Sequence, residues 1–372
     1  DALTTGSYNT AIGYLALSTE DAHGYNTAIG REALKTLNAG ADAGNVAVGM
    51  QAGAEMTTGR YNSILGTYAG DALTTGWSNV AIGYLALSSE DANTGNTAIG
   101  ASALASQNAG VSAYNTAVGY NAGTAVTTGA DNVLIGGSTG DALTTGTANV
   151  AMGRAALSTE NTGSRNVAIG YNALGDLDFN GNAYNVAVGY NAGGVMTSGI
   201  KNTLIGGNAG DALTTGGYNT AVGYDALSTE ELGGNTAIGY NALFTQNAGA
   251  DAYNTAVGYN AGFALTTGTS NTLIGSLAGD SLTAGGFNTA LGYGALQTED
   301  GHGRNTAIGY GALSDQDAGA DAYNVAVGYF AGNDISTGIN NTIVGGSTGS
   351  NIDTGQDNTI IGQAAAVSST HL

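Results

Sequence analysis

The sequence predicts an all-β chain, a parallel β-solenoid (β-roll) of 21 coils of 16–19 residues. Three observations predict it. One pentad, Asn-x-x-x-Gly, occurs 21 times along 372 residues, as NTAIG, NVAVG, NTLIG and close variants. The copies lie mostly 17 residues apart, with regular exceptions. The composition, with 64 Gly, no Pro and no Cys, suits thin stacked coils better than a large globular core. Internal periodicity of this kind is the signature of a repeat architecture, in which each unit buries its apolar face only against its neighbours.

The period excludes the helical alternatives. Helix-pair and propeller repeats run above ~30 residues, and a Gly at about every fifth position weakens helices. A 17-residue coil accommodates two short strands and two turns, with Asn9–Tyr14 as one strand and Ala16–Ser18 as the other. Turns such as Thr74-Thr75-Gly76 would close it. At ~4.8 Å per coil, 21 coils would make a rod on the order of 100 Å long.

A longer period overlies the shorter one. Spacings of 17, 19, 17 and 17 recur, so Asn9, Asn79, Asn149 and Asn219 lie 70 residues apart, and Asn288 follows 69 later. The block that was duplicated is therefore four coils. The array runs over residues 1–362, and residues 363–372 read as irregular run-out toward a following segment. The start at a mid-motif DALTTG reads as a piece of something longer.

Each constant position has a mechanical reading. Asn9, Asn79, Asn149, Asn219 and Asn288 would stack as amide ladders along the coils. Gly13, Gly83, Gly153, Gly223 and Gly292 would supply positive φ or close backbone approach. A nearly unbroken row of Ala begins at Ala16, Ala33 and Ala52, with Thr139 and Thr348 as exceptions, and implies a thin interior.

Counting the Asn as position one, positions two and four (Thr10 and Ile12, Val150 and Met152) share one face of the strand, and three and five share the other. Position three enlarges in every fourth coil, at Ile64, Leu134, Leu204, Leu273 and Ile343. Both faces are then apolar, so one should fill the interior and the other be covered by a second copy of the chain. With Ile12 taken as interior, Leu134, Leu204 and Leu273 become the expected contact between copies.

Tyr follows the pentad Gly in 11 of 21 coils, as at Tyr14, Tyr84 and Tyr120. Edge packing of stacked rings is expected there, with a sugar-binding strip as the alternative. Acidic residues recur by coil: Glu20-Asp21, Glu90-Asp91, Glu160, Glu230-Glu231 and Glu299-Asp300 in the first; Asp42, Asp251 and Asp321 in the second; Asp71, Asp141, Asp211 and Asp280 in the fourth. They read as a solvated rim with no cofactor, and calcium between turns is the alternative. His23, His302 and His371 join no Ser–His–Asp arrangement, and Gly206-Gly207 lacks the Lys of a phosphate loop. A non-enzyme is expected.

A formal charge of −21 leaves no basic footprint for nucleic acid and opposes anionic lipid. No run approaches the ~20 apolar residues of a membrane span. The NTAIGYxAL and NVAVGYNAG phrases, from Asn9 to Gly362, resemble the β-roll heads of trimeric autotransporter adhesins and the repeats of bacterial and phage tail-fibre proteins. That resemblance implies a left-handed β-roll, three chains side by side, on a fibre at the cell or virion surface. The competing expectation is a solenoid that binds ice, mineral or polysaccharide, or that polymerises into an extracellular filament. Val at 46, 80, 150, 167 and 186, where Thr10, Thr27, Thr97 and Thr116 set the pattern, argues against a lattice-matched Thr array.

Overall fold

The computed structural model describes residues 6–20, 24–229 and 233–365. Asp21, His23, Glu230, Glu231, His371 and most of the predicted run-out lie outside the described residues. The chain falls into two compact units, Asp1–Tyr184 and Asn185–Leu372. Each is a parallel β-solenoid. The first holds ten three-residue strands, from β1 (Thr10–Ile12) to β10 (Val167–Ile169). The second holds eleven, from β11 (Val186–Val188) to β21 (Thr359–Ile361).

Within a unit, each strand pairs in parallel and in register with the equivalent strand of the next coil. Thr10 lies beside Thr27, and Ala11 beside Ala28. The ladder bonds alternate in direction: Thr220 N donates to Asn235 O at 2.8 Å, and Gly223 N donates back to Ile205 O at 2.8 Å. Coil length does not disturb register, since Thr220 pairs with Thr236 and Thr236 with Thr255 across spacings of 16 and 19 residues. The extra residues are accommodated in the turns.

The expected second strand is absent among the described residues. Opposite each strand the chain forms a wall of tight turns in which positive φ recurs at alternate residues: Gly13 (137°), Leu15 (55°) and Leu17 (52°). Peptide planes there still bond between coils, as Leu17 N does to Ala33 O (3.0 Å) and Glu32 N to Tyr14 O (2.8 Å). Leu is a poor residue for left-handed backbone. It is held there because its side chain is an interior filler, wholly buried at Leu17, Leu34, Leu87 and Leu104.

Interior rows run along each stack at positions three, eight, nine and twelve. Position eight is the predicted Ala row, and from Ala33 to Ala331 its alanines are buried. Thr139 fits the same row by donating its hydroxyl to Gly153 O at 2.5 Å. Position nine alternates in pairs, Leu-Leu then Gly-Gly: Leu87 and Leu104 precede Gly123 and Gly140. The large position-three residue falls beside that glycine pair. A Cβ on Gly123 would sit 2.6 Å from Leu134 Cδ1, and one on Gly140 2.9 Å from Leu134 Cδ2. One Leu thus fills the space that two missing side chains leave, which gives the four-coil period its packing reason.

Candidate contact surface

The inside and outside of the strand are the reverse of the sequence expectation. Position three points inward, and Leu134, Leu204 and Leu273 are all 0% exposed. They cannot form a contact between copies, because they fill the space beside the glycine pairs. Ile12, expected inside, is 60% exposed. The outer face is therefore positions two and four: Thr or Val (Ser at Ser63), then Ile, Val, Leu or Met. None of the 21 pentads carries a charge at either position. On a chain of net charge −21 this is a neutral strip. Leu65, Met152 and Ile205 stand on it between 40% and 49% exposed.

Backbone hydrogen bonding fixes this face through the Asn row. Asn132 Oδ1 accepts the backbone N–H of Asn149 at 3.0 Å, and Asn149 Oδ1 that of Asn166 at 3.0 Å. The amide nitrogen serves its own coil: Asn149 Nδ2 donates to Gly163 O at 2.9 Å, at the far end of the same turn. The Oδ1 atoms of Asn9, Asn79, Asn219 and Asn288 likewise accept the backbone N–H of Asn26, Asn96, Asn235 and Asn305. The ladder is thus chiefly side chain to backbone, and amide-to-amide bonds such as Asn62 Nδ2 to Asn45 Oδ1 (3.2 Å) are additions to it. The glycine row lies at a backbone crossing. A Cβ on Gly153 would meet Gly170 O at 2.3 Å, and Gly13, Gly83, Gly223 and Gly292 face the same obstruction.

Two aromatic rows flank the strands. In the row after the pentad Gly, Tyr224, Tyr240 and Tyr259 stack with centroids 5.8 and 5.5 Å apart and planes within 12°. Tyr293, Tyr310 and Tyr329 stack at 5.1 and 5.5 Å with planes 12° and 23° apart. Ring faces in these stacks lie against one another, which takes from a sugar the surface it would bind. In the row before the Asn, cations lie over neighbouring rings: Arg165 over Tyr184 (5.5 Å) and Lys201 over Tyr218 (4.9 Å). Arg304 lies between Phe287 and Tyr323 while bonding Asp321 at 2.7 Å. Trp77 walls an open cavity of about 290 Å³ with Thr58, Arg60, Tyr61 and Thr75.

The acidic rows divide. Asp42, Asp251 and Asp321 bind the coil beneath them, accepting from Gly24, Gly233 and Gly303 N at 3.0–3.2 Å. Glu20, Glu90, Glu160 and Glu299 are not a solvated rim but wholly buried, in the interior row at position twelve. Glu90 accepts from Asn93 N (3.0 Å) and Asn96 Nδ2 (3.3 Å), closing its own turn. Burial pushes Glu90 and Glu299 up to about 7, and raises Glu160 as well. Burial also raises Asp71, Asp141 and Asp280, and takes Asp211 up to about 6. Glu299, Asp300, His302 and Asp317 bring ligand-type atoms within 4.8 Å of one another. Glu299 is engaged there by His302 N (3.2 Å) and Asn305 Nδ2 (3.5 Å), bonds that close its turn.

Comparison with protein-family models and with curated proteins gives no match for this chain.

Proposed function

We propose that the chain is a non-catalytic structural and adhesive segment of an extracellular or virion-surface fibre, acting through its outer sheet face. One observation carries the reading: the recurrent Asn, Glu and turn Thr side chains are engaged in holding coils together, while the outer face is left neutral, regular and exposed. The resemblance of the pentads to fibre and adhesin repeats supports it, and a homotrimer is the assembly that resemblance implies.

Self-association falls on the most apolar stretch of that face, where Val133/Ile135, Val150/Met152 and Val167/Ile169 follow one another. Continuous apolar strips larger than a few hundred Å² are rarely left to water in monomers, and closed symmetry covers one without runaway growth. Light scattering on the intact chain tests the reading. A mass of three chains is expected, falling toward 36.4 kDa in Met152→Lys. A monomer unaffected by that substitution overturns it. A second reading, binding of an ordered surface, is favoured by a separate observation in the second unit.

A further inference from the structure

The irregularity that argued against a threonine array is confined to particular coils. In the second unit, position two is Thr in seven consecutive strands: Thr203, Thr220, Thr236, Thr255, Thr272, Thr289 and Thr306. Ladder register places them side by side. All seven are exposed or half-buried, over a fully buried position three.

Their hydroxyls differ from those in the turns. Turn threonines donate across coils, as Thr197 does to Thr214 O (3.2 Å) and Thr266 to Thr283 O (3.1 Å). The seven sheet hydroxyls have no protein partner among the described residues. Beside them runs an apolar row of Ile205, Val222, Ile238, Val257, Ile274, Leu291 and Ile308. Thr is stiff at χ1 because it is branched at Cβ, so each strand presents one hydroxyl and one methyl of limited freedom at the same ladder position.

We infer that this face of the second unit binds ice, with the hydroxyls and methyls of the seven threonines holding lattice water. The inference deepens the adhesive reading and rests on it. A strand repeat of ~4.8 Å is close to the oxygen repeat along the a axis of hexagonal ice. A partner that meets one hydroxyl per strand must itself be periodic. Neutrality of the face removes the field that would select an ion or a charged polymer. A crystalline polysaccharide would want open ring faces, and no aromatic residue occupies position two or four. Small molecules prefer concave sites, and the cavities beside Trp77 and Tyr293 lie off this face. Stiff side chains on a laddered sheet are ordered before binding, which lowers the entropy cost of meeting a lattice.

The test is ice growth in a solution of the intact chain. Faceted crystals and a gap between melting and growth temperatures are expected. Both should be lost in Thr255→Lys/Thr272→Lys and retained in Thr116→Lys, with circular dichroism melting unchanged. If the Lys pair fails to fold, Thr255→Val/Thr272→Val keeps the shape and should narrow the gap. Unfaceted growth with the unaltered chain overturns the inference. So does retention by microcrystalline cellulose that the Lys pair abolishes. An oligomer whose mass drops with the Lys pair, but not with Met152→Lys, also overturns it, because a second copy would then cover the row. Met152→Lys reports separately on the adhesive reading, since that residue is in the other unit.

Discussion

Leu134 occupies the space that a side chain on Gly123 would need: a Cβ there would lie 2.6 Å from Leu134 Cδ1, and 3.1 Å from Leu104 Cδ2. The same relationship links Leu273 to Gly262 at 2.8 Å. Interior volume is thus exchanged between the strand and the facing turn wall, one coil to the next.

That exchange predicts a compensated pair. Leu134→Ala alone should destabilise its coils by about 2–5 kcal/mol through the cavity it opens. Gly123 has φ 57°, and Leu104 holds its own Leu at 49° in the preceding coil, so Leu is admissible at 123 once the space is free. Leu134→Ala/Gly123→Leu should recover much of the loss, a coupling expected of residues in contact. Hydrogen exchange in the flanking coils reads it; simple additivity of the two single changes would contradict the packing described.

The sequence carried the coil count, the register and the interior Ala row, because those follow from strict recurrence. It misled on inside and outside for a physical reason. Ile12 is larger than Ala11, so size alone argues for Ile12 as core, yet the core is filled from the opposite wall by Leu17. The signal was present: Ile64, Leu134, Leu204, Leu273 and Ile343 each precede, six residues on, a glycine rather than Leu. Volume compensation between two columns distinguishes an interior row from an outer one. The alternating left-handed turn wall was not legible, since Leu at positive φ contradicts its local preference and is imposed by tertiary packing. The buried Glu row was missed for a related reason, because its partners are turn backbone and Asn amides that only the closed coil brings together.

Buried glutamates predict a pH dependence. Glu90 and Glu299 are raised from about 4.5 to about 7, so the folded chain binds protons that the unfolded chain releases. Their contribution is fully present below pH 4.5 and is lost as pH rises through 7. Thermal melts should therefore show higher stability at pH 5 than at pH 8. Glu90→Gln should flatten part of this slope, since Gln107 fits the same interior row by bonding Asn115 Nδ2 and Thr127 O. A melt that rises steadily toward pH 8 would falsify the burial of these side chains.

Asn149 both donates and accepts: its Nδ2 gives to Gly163 O and to Asn132 Oδ1 (3.2 Å) and its Oδ1 takes the N–H of Asn166, so its substitutions should rank unusually. Asn149→Ala leaves Gly163 O and Asn166 N without partners, at about 1–3 kcal/mol for each buried group. Asn149→Asp keeps the acceptor for Asn166 N but sets oxygen against Gly163 O. It should be no better than Ala at neutral pH, and should improve in acid as the carboxyl gains a proton. Urea titrations at two pH values check the order; an Asp variant as stable as Asn at pH 7 would exclude the donor role of Nδ2.

Chelation gives a further expectation. Because Glu299 closes its own turn, adding EDTA should leave the melting temperature where it was. A large drop would instead assign the cluster of Glu299, Asp300, His302 and Asp317 to a cation, since a bound ion stabilises by mass action.

Length variation is confined to one corner of the coil. Coils of 16, 17 and 19 residues keep the same ladder partners, and in the 19-residue coil that follows Asn235 the extra turn from Asn247 to Asp251 is largely open to solvent. Nothing lies within 4 Å of where a Cβ on Gly249 would be. Insertions and deletions at this corner leave the pairing of neighbouring strands intact, whereas one residue added inside a pentad would invert which side chains face inward. The corner is therefore where such an array can acquire new sequence by small indels, while the strands are left to diversify by substitution alone.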